Sequence, residues 1–309
     1  MGLVAIFVLS LNLGTTIYSP IETYNALFTE ADENLKSILL EVRLPRALVA
    51  VLVGFAIAQA GWILQATFAN PLADPALIGI SPIAAIGVVL AFSFGSLQFG
   101  MFFGVIFLLF ALLYLAALQV PNQKFILAAF AFGSMATALL GVLTTSPLNA
   151  SGKSLTAWIF GSISTVNFEQ LITLAVPVLV STLLLSRQTQ LLDLLSLGER
   201  TAQNLGVEIN RTRAKVFLTA SLLIAPAVAV SGVVGFVGLA IPMAARELIP
   251  GRHQHQQMLV LGLGGISVLV ADTFSRMLFA PIEIPLGITL TLIGAPIMFR
   301  SLVGSGVRV

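Results

Sequence analysis

The 309-residue chain contains no cysteine. Disulfides, zinc–thiolate sites and cysteine nucleophiles are therefore excluded, and the redox compartment leaves no trace in the sequence. Charge is nearly as scarce. Asp, Glu, Lys and Arg make up 9% of the residues, against about 25% in a soluble globular protein. Histidine occurs twice, as His253 and His255 in "GRHQHQQ". Two loop histidines two residues apart fall short of a metal-ligand set, so this stretch reads as a solvated turn with no metal. No GxSxG or HExxH arrangement is present, which leaves an intramembrane enzyme without a catalytic set. A GxxxxGK[ST] phosphate loop is missing too, so any ATP must be bound by another subunit. Nothing supports nucleic-acid binding.

What remains is apolar: 58% hydrophobic residues and a mean hydropathy of +1.02. The apolar runs have bilayer-spanning length, about 20 residues each. They are continuous, whereas a membrane β-barrel would alternate. The fold class is an all-α polytopic membrane protein with about ten transmembrane helices. Spans are predicted near residues 1–18, 46–67, 78–95, 99–119, 124–145, 168–186, 214–231, 235–250, 257–277 and 286–303. No Pro-rich linker or low-complexity tract interrupts them, so residues 1–309 read as a single transmembrane domain. The first run lacks a basic n-region and a small-x-small cleavage site, and so reads as a membrane helix, not a signal peptide. It is short and has no flanking Lys or Arg, which leaves room for a natural start upstream.

An even number of spans puts both termini on one side. With the termini in the cytoplasm, Lys124, Arg187, Arg200, Arg211, Arg213, Lys215, Arg246, Arg252, Arg300 and Arg308 lie inside. Lys36, Arg43, Arg46, Lys153 and Arg276 lie outside, so the positive-inside rule favours this orientation.

Polar features within this frame are few. Residues 68–81, "FANPLADPALIGIS", break two apolar runs with a polar, proline-containing loop. Asp272 and Arg276 are four apart on one helix face and form either an interfacial pair or a docking site with a free arginine. Segment 191–206 interleaves Leu191, Leu192, Leu194, Leu195, Leu197, Ala202 and Leu205 with Asp193, Glu199, Arg200, Gln203 and Asn204, and Gly198 splits it. Pieces so small lie on the membrane surface or fill a groove on another protein. In "SGVVGFVGLAIP" (231–242), Gly232, Gly235 and Gly238 serve either close helix packing or a helix break beside a path. Charges too sparse for a proton relay disfavour a secondary transporter.

Several stretches together resemble the permease family of ABC importers for iron-siderophores, haem and cobalamin, the FecCD family. They are "RLPRALVAVLVGFAIAQAGWILQATFANPLADPALIGIS" (43–81), "AWIFGSIS" (157–164), "LLSLGERTAQNLGV" (194–207), "GFVGLAIPMAARELI" (235–249) and "ADTFSRMLFAPIEIPLGITLTLIGAPIMF" (271–299). The resemblance implies a ten-helix permease in the bacterial inner membrane, paired with a second permease subunit around a central path. It also implies two separate ABC ATPase subunits carrying ATP-Mg, and a substrate-binding protein outside. The permease itself is then no enzyme and binds no cofactor. The cargo expected from the family's commonest use is a ferric siderophore, with cobalamin or haem as alternatives.

Residue by residue, Asn70, Pro71 and Leu72 match the cytoplasmic gate. Leu197, Gly198, Glu199, Ala202, Leu205 and Gly206 match the segment that couples to the ATPase. Arg43, Arg46 and Arg276 match external arginines that meet acidic residues of the binding protein. Two positions depart from the pattern. Pro242-Met243-Ala244-Ala245-Arg246 stands where the family often reads P-H-x-A-R, and Phe168 stands where it often has Trp. Val120 to Lys124 is too unlike the family to carry gate residues.

Overall fold

The computed structural model describes residues 2–28, 33–92, 100, 103–109, 111, 113, 122–145, 158–280 and 282–304. Within them the regular backbone is helical. The helices are α1 (Gly2–Asn12), α2 (Pro20–Phe28), α3 (Glu33–Ser37), α4 (Leu44–Phe68), α5 (Ile80–Phe92), α6 (Asn122–Thr145) and α7 (Phe168–Ser186). They continue with α8 (Thr189–Ser196), α9 (Glu199–Asn204), α10 (Ile209–Ser231), α11 (Val237–Leu248), α12 (His253–Met277) and α13 (Leu286–Gly304). A π-helical turn, Ile38–Arg43, joins α3 to α4 without a break.

Among the described residues, five helical stretches are long and apolar enough to cross a bilayer: Glu33–Phe68, Lys124–Leu143, α7, α10 and α12. The expected span at 1–18 is helical only over Gly2–Asn12, while those from 46–67 onward, apart from 99–119, overlap helices, and that at 168–186 matches α7 at both ends. The expected span at 99–119 lies largely outside the described residues, although 103–109 are helical. Within the polar stretch 19–45, residues 20–28 and 33–45 are helical, forming α2, α3, the π turn and the start of α4.

Helix α4 sits at the centre, packed against α7, α8, α10, α11 and α12. Almost all its side chains from Val53 to Phe68 are buried. Small residues set how closely its neighbours approach. An alanine methyl at Gly54 would collide with the carbonyl of Gly264 in α12, and one at Gly61 with the carbonyl of Gly238 in α11. The two glycines lie two turns apart on α4, so one face of the helix meets both neighbours backbone to backbone.

Residues 231–242 combine close packing with a break in the helix. Gly238 packs against α4, and α10 stops at Gly232, which adopts φ 72° and holds its Cα against the Trp158 carbonyl. Residues 232–236 are non-helical and α11 begins anew at Val237. Phe236 caps this break at φ 77°, an uncommon conformation for a bulky residue.

Gly54→Ala and Gly61→Ala should each destabilise the fold by about 1–3 kcal/mol through overpacking. Gly262→Ala has nothing within 4 Å of the added methyl and should be neutral or slightly stabilising. Thermal unfolding of the detergent-purified chain and the three variants checks this ordering.

Candidate functional site

The loop between α4 and α5 is built by local chemistry. Ala69 ends α4 in the left-handed region at φ 47°. Pro71 then disfavours helix at Asn70 and cannot donate a backbone hydrogen bond. The Asn70 side chain accepts from the Leu72 N–H at 2.9 Å, closing a tight turn. Asn70 is half-buried while Pro71 and Leu72 are exposed, so these three form the tip.

Asp74 roots the loop. Its Oδ1 accepts from the N–H groups of Ala76 and Leu77 at 2.8 and 2.9 Å. Its Oδ2 is buried beside Gly238 and finds no hydrogen-bond partner among the described residues. Burial pushes the carboxyl up to about 6, against a partial lowering by the two backbone donors. The start of α11 therefore touches the loop through Asp74.

An open cavity of about 390 Å³ lies behind the tip, lined by Gln65, Asn70, Pro71, Ser196, Arg246, His253 and Gln256 among others. Arg246 donates to Gln65 Oε1 at 2.6 Å, and Gln65 Nε2 donates to the Gly238 carbonyl at 3.1 Å. Asp193 of α8 accepts from the backbone N–H of His253 at 2.9 Å and lies 2.6 Å from its Nδ1. The Trp62 ring stands 5.3 Å from the imidazole, and its Nε1 donates to Gln256 at 3.3 Å.

The reading of His253 as part of a solvated turn is thus corrected. Gly251, at φ 115°, turns the chain so that α12 starts against α8 and α4, burying His253 while His255 remains exposed. Arg246 sits at the arginine of the family's P-H-x-A-R pattern, and Asp193 lies in the segment 191–206, but nothing in the sequence showed that they and His253 meet at one cavity. Gln65, a polar residue within an apolar run, is the signal that was passed over.

The expected coupling residues form the rim of the same end. Leu197 and Leu205 are 59% and 58% exposed, a high value for leucine outside an apolar helix face. Gly198 and Gly206 hold positive φ and bend the chain at either end of α9. Glu199 pairs with Arg213 of α10 at 2.9 Å. Ala202, expected to face a partner, is wholly buried because α9 packs inward on that side.

At the opposite end, Arg43, Arg46 and Arg276 turn inward, contrary to the surface positions the resemblance implied. Arg43 donates to the carbonyls of Leu11 and Thr16 at 2.6 and 2.7 Å. Arg46 meets both Asp272 and Glu283 at 2.9 Å, and Arg276 meets Asp272 at 3.2 Å. A desolvated guanidinium needs such partners, and docking through these residues requires the internal pairs to open. The Asp272–Arg276 pair is present, with Arg46 as a further member.

Long helices, one of them broken, around a central buried helix, with a polar cavity and an exposed short-helix rim at one end, define a polytopic helical membrane protein. A profile of the FecCD transport family matches residues 2–303, and the chain belongs to that family of ABC importer permeases. It is 34% identical to the hemin transport system permease protein HmuU of Yersinia pestis, over 96% of this chain and 92% of that one. It is 32% identical to the iron(3+)-hydroxamate import system permease protein FhuG of Bacillus subtilis, over 95% and 92%. The molybdate import system permease protein MolB of Haemophilus influenzae is 35% identical, over 87% and 81%. Among solved structures, an inward-facing metal-chelate type ABC transporter aligns with a TM-score of 0.84 at 34% identity, covering 98% of this chain and 96% of that one. PsaBC from Streptococcus pneumoniae shares the fold at a TM-score of 0.63 and 16% identity, covering 92% and 95%.

The raised carboxyl of Asp74 fixes the sign of a pH effect. Folded Asp74 holds its proton up to about pH 6, against 3.8 as its ordinary value. Its contribution to stability is therefore complete below the ordinary value and lost as pH rises through 6. The loss amounts to about 3 kcal/mol by linkage. Asp74→Asn keeps the Oδ1 acceptor and should remove this decline. Unfolding curves for both proteins across that window test it; parallel curves would show that Asp74 does not titrate as its burial requires.

Proposed function

We propose that this permease moves a ferric siderophore across the bacterial cytoplasmic membrane, with both termini in the cytoplasm. Relatives named for iron-bearing cargo support an iron substrate. Relatives named for hemin, iron(3+)-hydroxamate and Fe(3+)-citrate align over 95–96% of this chain. Those named for molybdate and vitamin B12 align over 86–87%. The siderophore is the commonest iron cargo of the family.

In this reading two permease subunits enclose the path, two ABC ATPases bind ATP-Mg beneath them, and a binding protein delivers cargo from outside. Asn70, Pro71 and Leu72 close the cytoplasmic mouth. The exposed Leu197 and Leu205, with Gly198, Glu199 and Gly206, seat in the ATPase. ATPase closure then moves α8, and the Asp193–His253 contact carries that motion to α12 and the wall of the cavity behind the loop. No chemistry on the cargo is required of this chain.

Cells lacking the chain should lose uptake of a labelled ferric siderophore while retaining labelled cobalamin, haem and molybdate. Loss of one of those instead would keep the importer and replace the cargo. Gly198→Val and Glu199→Ala should uncouple transport while leaving the protein in the membrane; normal uptake by both would remove the coupling role.

A further inference from the structure

Helix α2 is short, and the helix itself is capped with care. Ser19 precedes it, Pro20 occupies its first turn, and Glu22 follows three residues after the serine. The Ser19 N–H donates to Glu22 at 2.7 Å, and the Glu22 N–H donates to Ser19 Oγ at 3.2 Å. This reciprocal capping box satisfies two donors that a helix start leaves open. It also ties the Glu22 carboxylate to the N-terminal end of the helix.

One face of α2 is packed. Thr23 hydrogen-bonds Asn12 of α1 at 2.5 Å, and Ala26 joins Leu35 and Leu39 in a small buried cluster. The opposite face carries Ile21, Tyr24 and Phe28, which are 72%, 62% and 73% exposed. Their spacing of three and four residues makes a single ridge on a helix. Ile17, one turn ahead, is likewise exposed, and the rings of Tyr24 and Phe28 lie 5.0 Å apart. A continuous ridge of this kind marks an interaction surface.

Arg43 sets the depth at which the ridge lies. It bonds the last turn of α1 at Leu11 and the link to α2 at Thr16, and it stands 4.8 Å from the Tyr18 ring. The end of α1, the start of α2 and the base of α4 are thus pinned at one level. That is the level at which the chain leaves the membrane, where amphipathic aromatic rings and arginines concentrate. The exposed apolar face of α1, with Val4 and Val8, runs up to the same level.

We propose that α2 is an interfacial helix whose Ile21–Tyr24–Phe28 ridge is seated in the lipid at the headgroup–acyl boundary of the outer leaflet. Continuity with the lipid-facing side of α1 favours lipid as its occupant. So does the composition of the ridge, which offers no charge to a protein partner. The seated helix braces the α3–π–α4 base from outside the bundle. This inference rests on the membrane reading and not on the identity of the cargo.

The absence of cysteine permits single-site nitroxide labelling without removing native thiols. Ile21→Cys, Tyr24→Cys, Phe28→Cys and Glu22→Cys are prepared in the full chain, reconstituted into vesicles of phosphatidylethanolamine and phosphatidylglycerol. Labels at 21, 24 and 28 should show an oxygen-to-nickel-chelate accessibility ratio several-fold above that at 22. Equal nickel-chelate access at all four sites would place the ridge in water and overturn the proposal. So would labels that are open to the chelate in vesicles and become shielded only when a soluble binding protein is added. Because three ridge positions are read separately, failure of one variant to fold leaves the other two decisive.

Discussion

Between α4 and its neighbours α11 and α12, backbone meets backbone, with glycine on both sides of each contact. In lipid there is little hydrophobic gain from bringing helices together, so close van der Waals fit must supply the attraction. Gly54 against Gly264 and Gly61 against Gly238 provide that fit and fix the rotation of α4 about its own axis. The polar side chains of the seam depend on this rotation. Gln59 reaches Thr182 of α7 at 2.9 Å, and Gln65 reaches the Gly238 carbonyl, because the glycines hold α4 in register.

The two ends of the bundle manage charge differently. At one end Arg46, Arg276, Asp272 and Glu283 form a neutral, mostly buried quartet. Removing one member of such a set strands a buried charge, which typically costs about 3–5 kcal/mol. The other end is joined by smaller contacts: Arg246 to Gln65, Asp193 to His253 and Glu199 to Arg213. Gln65, Arg246 and His253 line the open cavity, and the carboxylates of Asp193 and Glu199 are each 30% exposed, so water reaches this end more readily. The first end is built to hold, and the second can rearrange.

Much of this was legible in the sequence because bilayer solvation leaves few options. A continuous apolar run must be a helix, since lipid cannot satisfy an open backbone. Thus α7 was readable to the residue, and the NPLADP stretch announced a break by its prolines. Tertiary pairing was less visible. Arg46 and Glu283 are far apart in sequence, and nothing local in "RLPR" shows that its second arginine will be buried. His253 was misread for a related reason: its burial depends on Gly251 and on Trp62, which no spacing rule connects to it. Ala202 shows the same limit on a smaller scale, as a six-residue helix does not reveal which of its faces packs inward.

The uninterrupted helical course from Glu33 through the π turn to Phe68 spans 36 residues. At 1.5 Å per residue this is a rod of about 54 Å, well beyond the roughly 30 Å of a hydrocarbon core. Its outer third stands clear of the acyl chains while its inner end carries Ala69 and Asn70. Such a rod behaves as a lever arm pivoting where the glycines clasp it. Pivoting between Gly54 and Gly61, a tilt of about 5° would move the α3 end by roughly 3 Å and the Asn70 end by about 1.5 Å. The Arg46 pairs to Asp272 and Glu283 anchor this rod near its outer end, so the shorter arm beyond the glycines, which carries Asn70, is the part left to move.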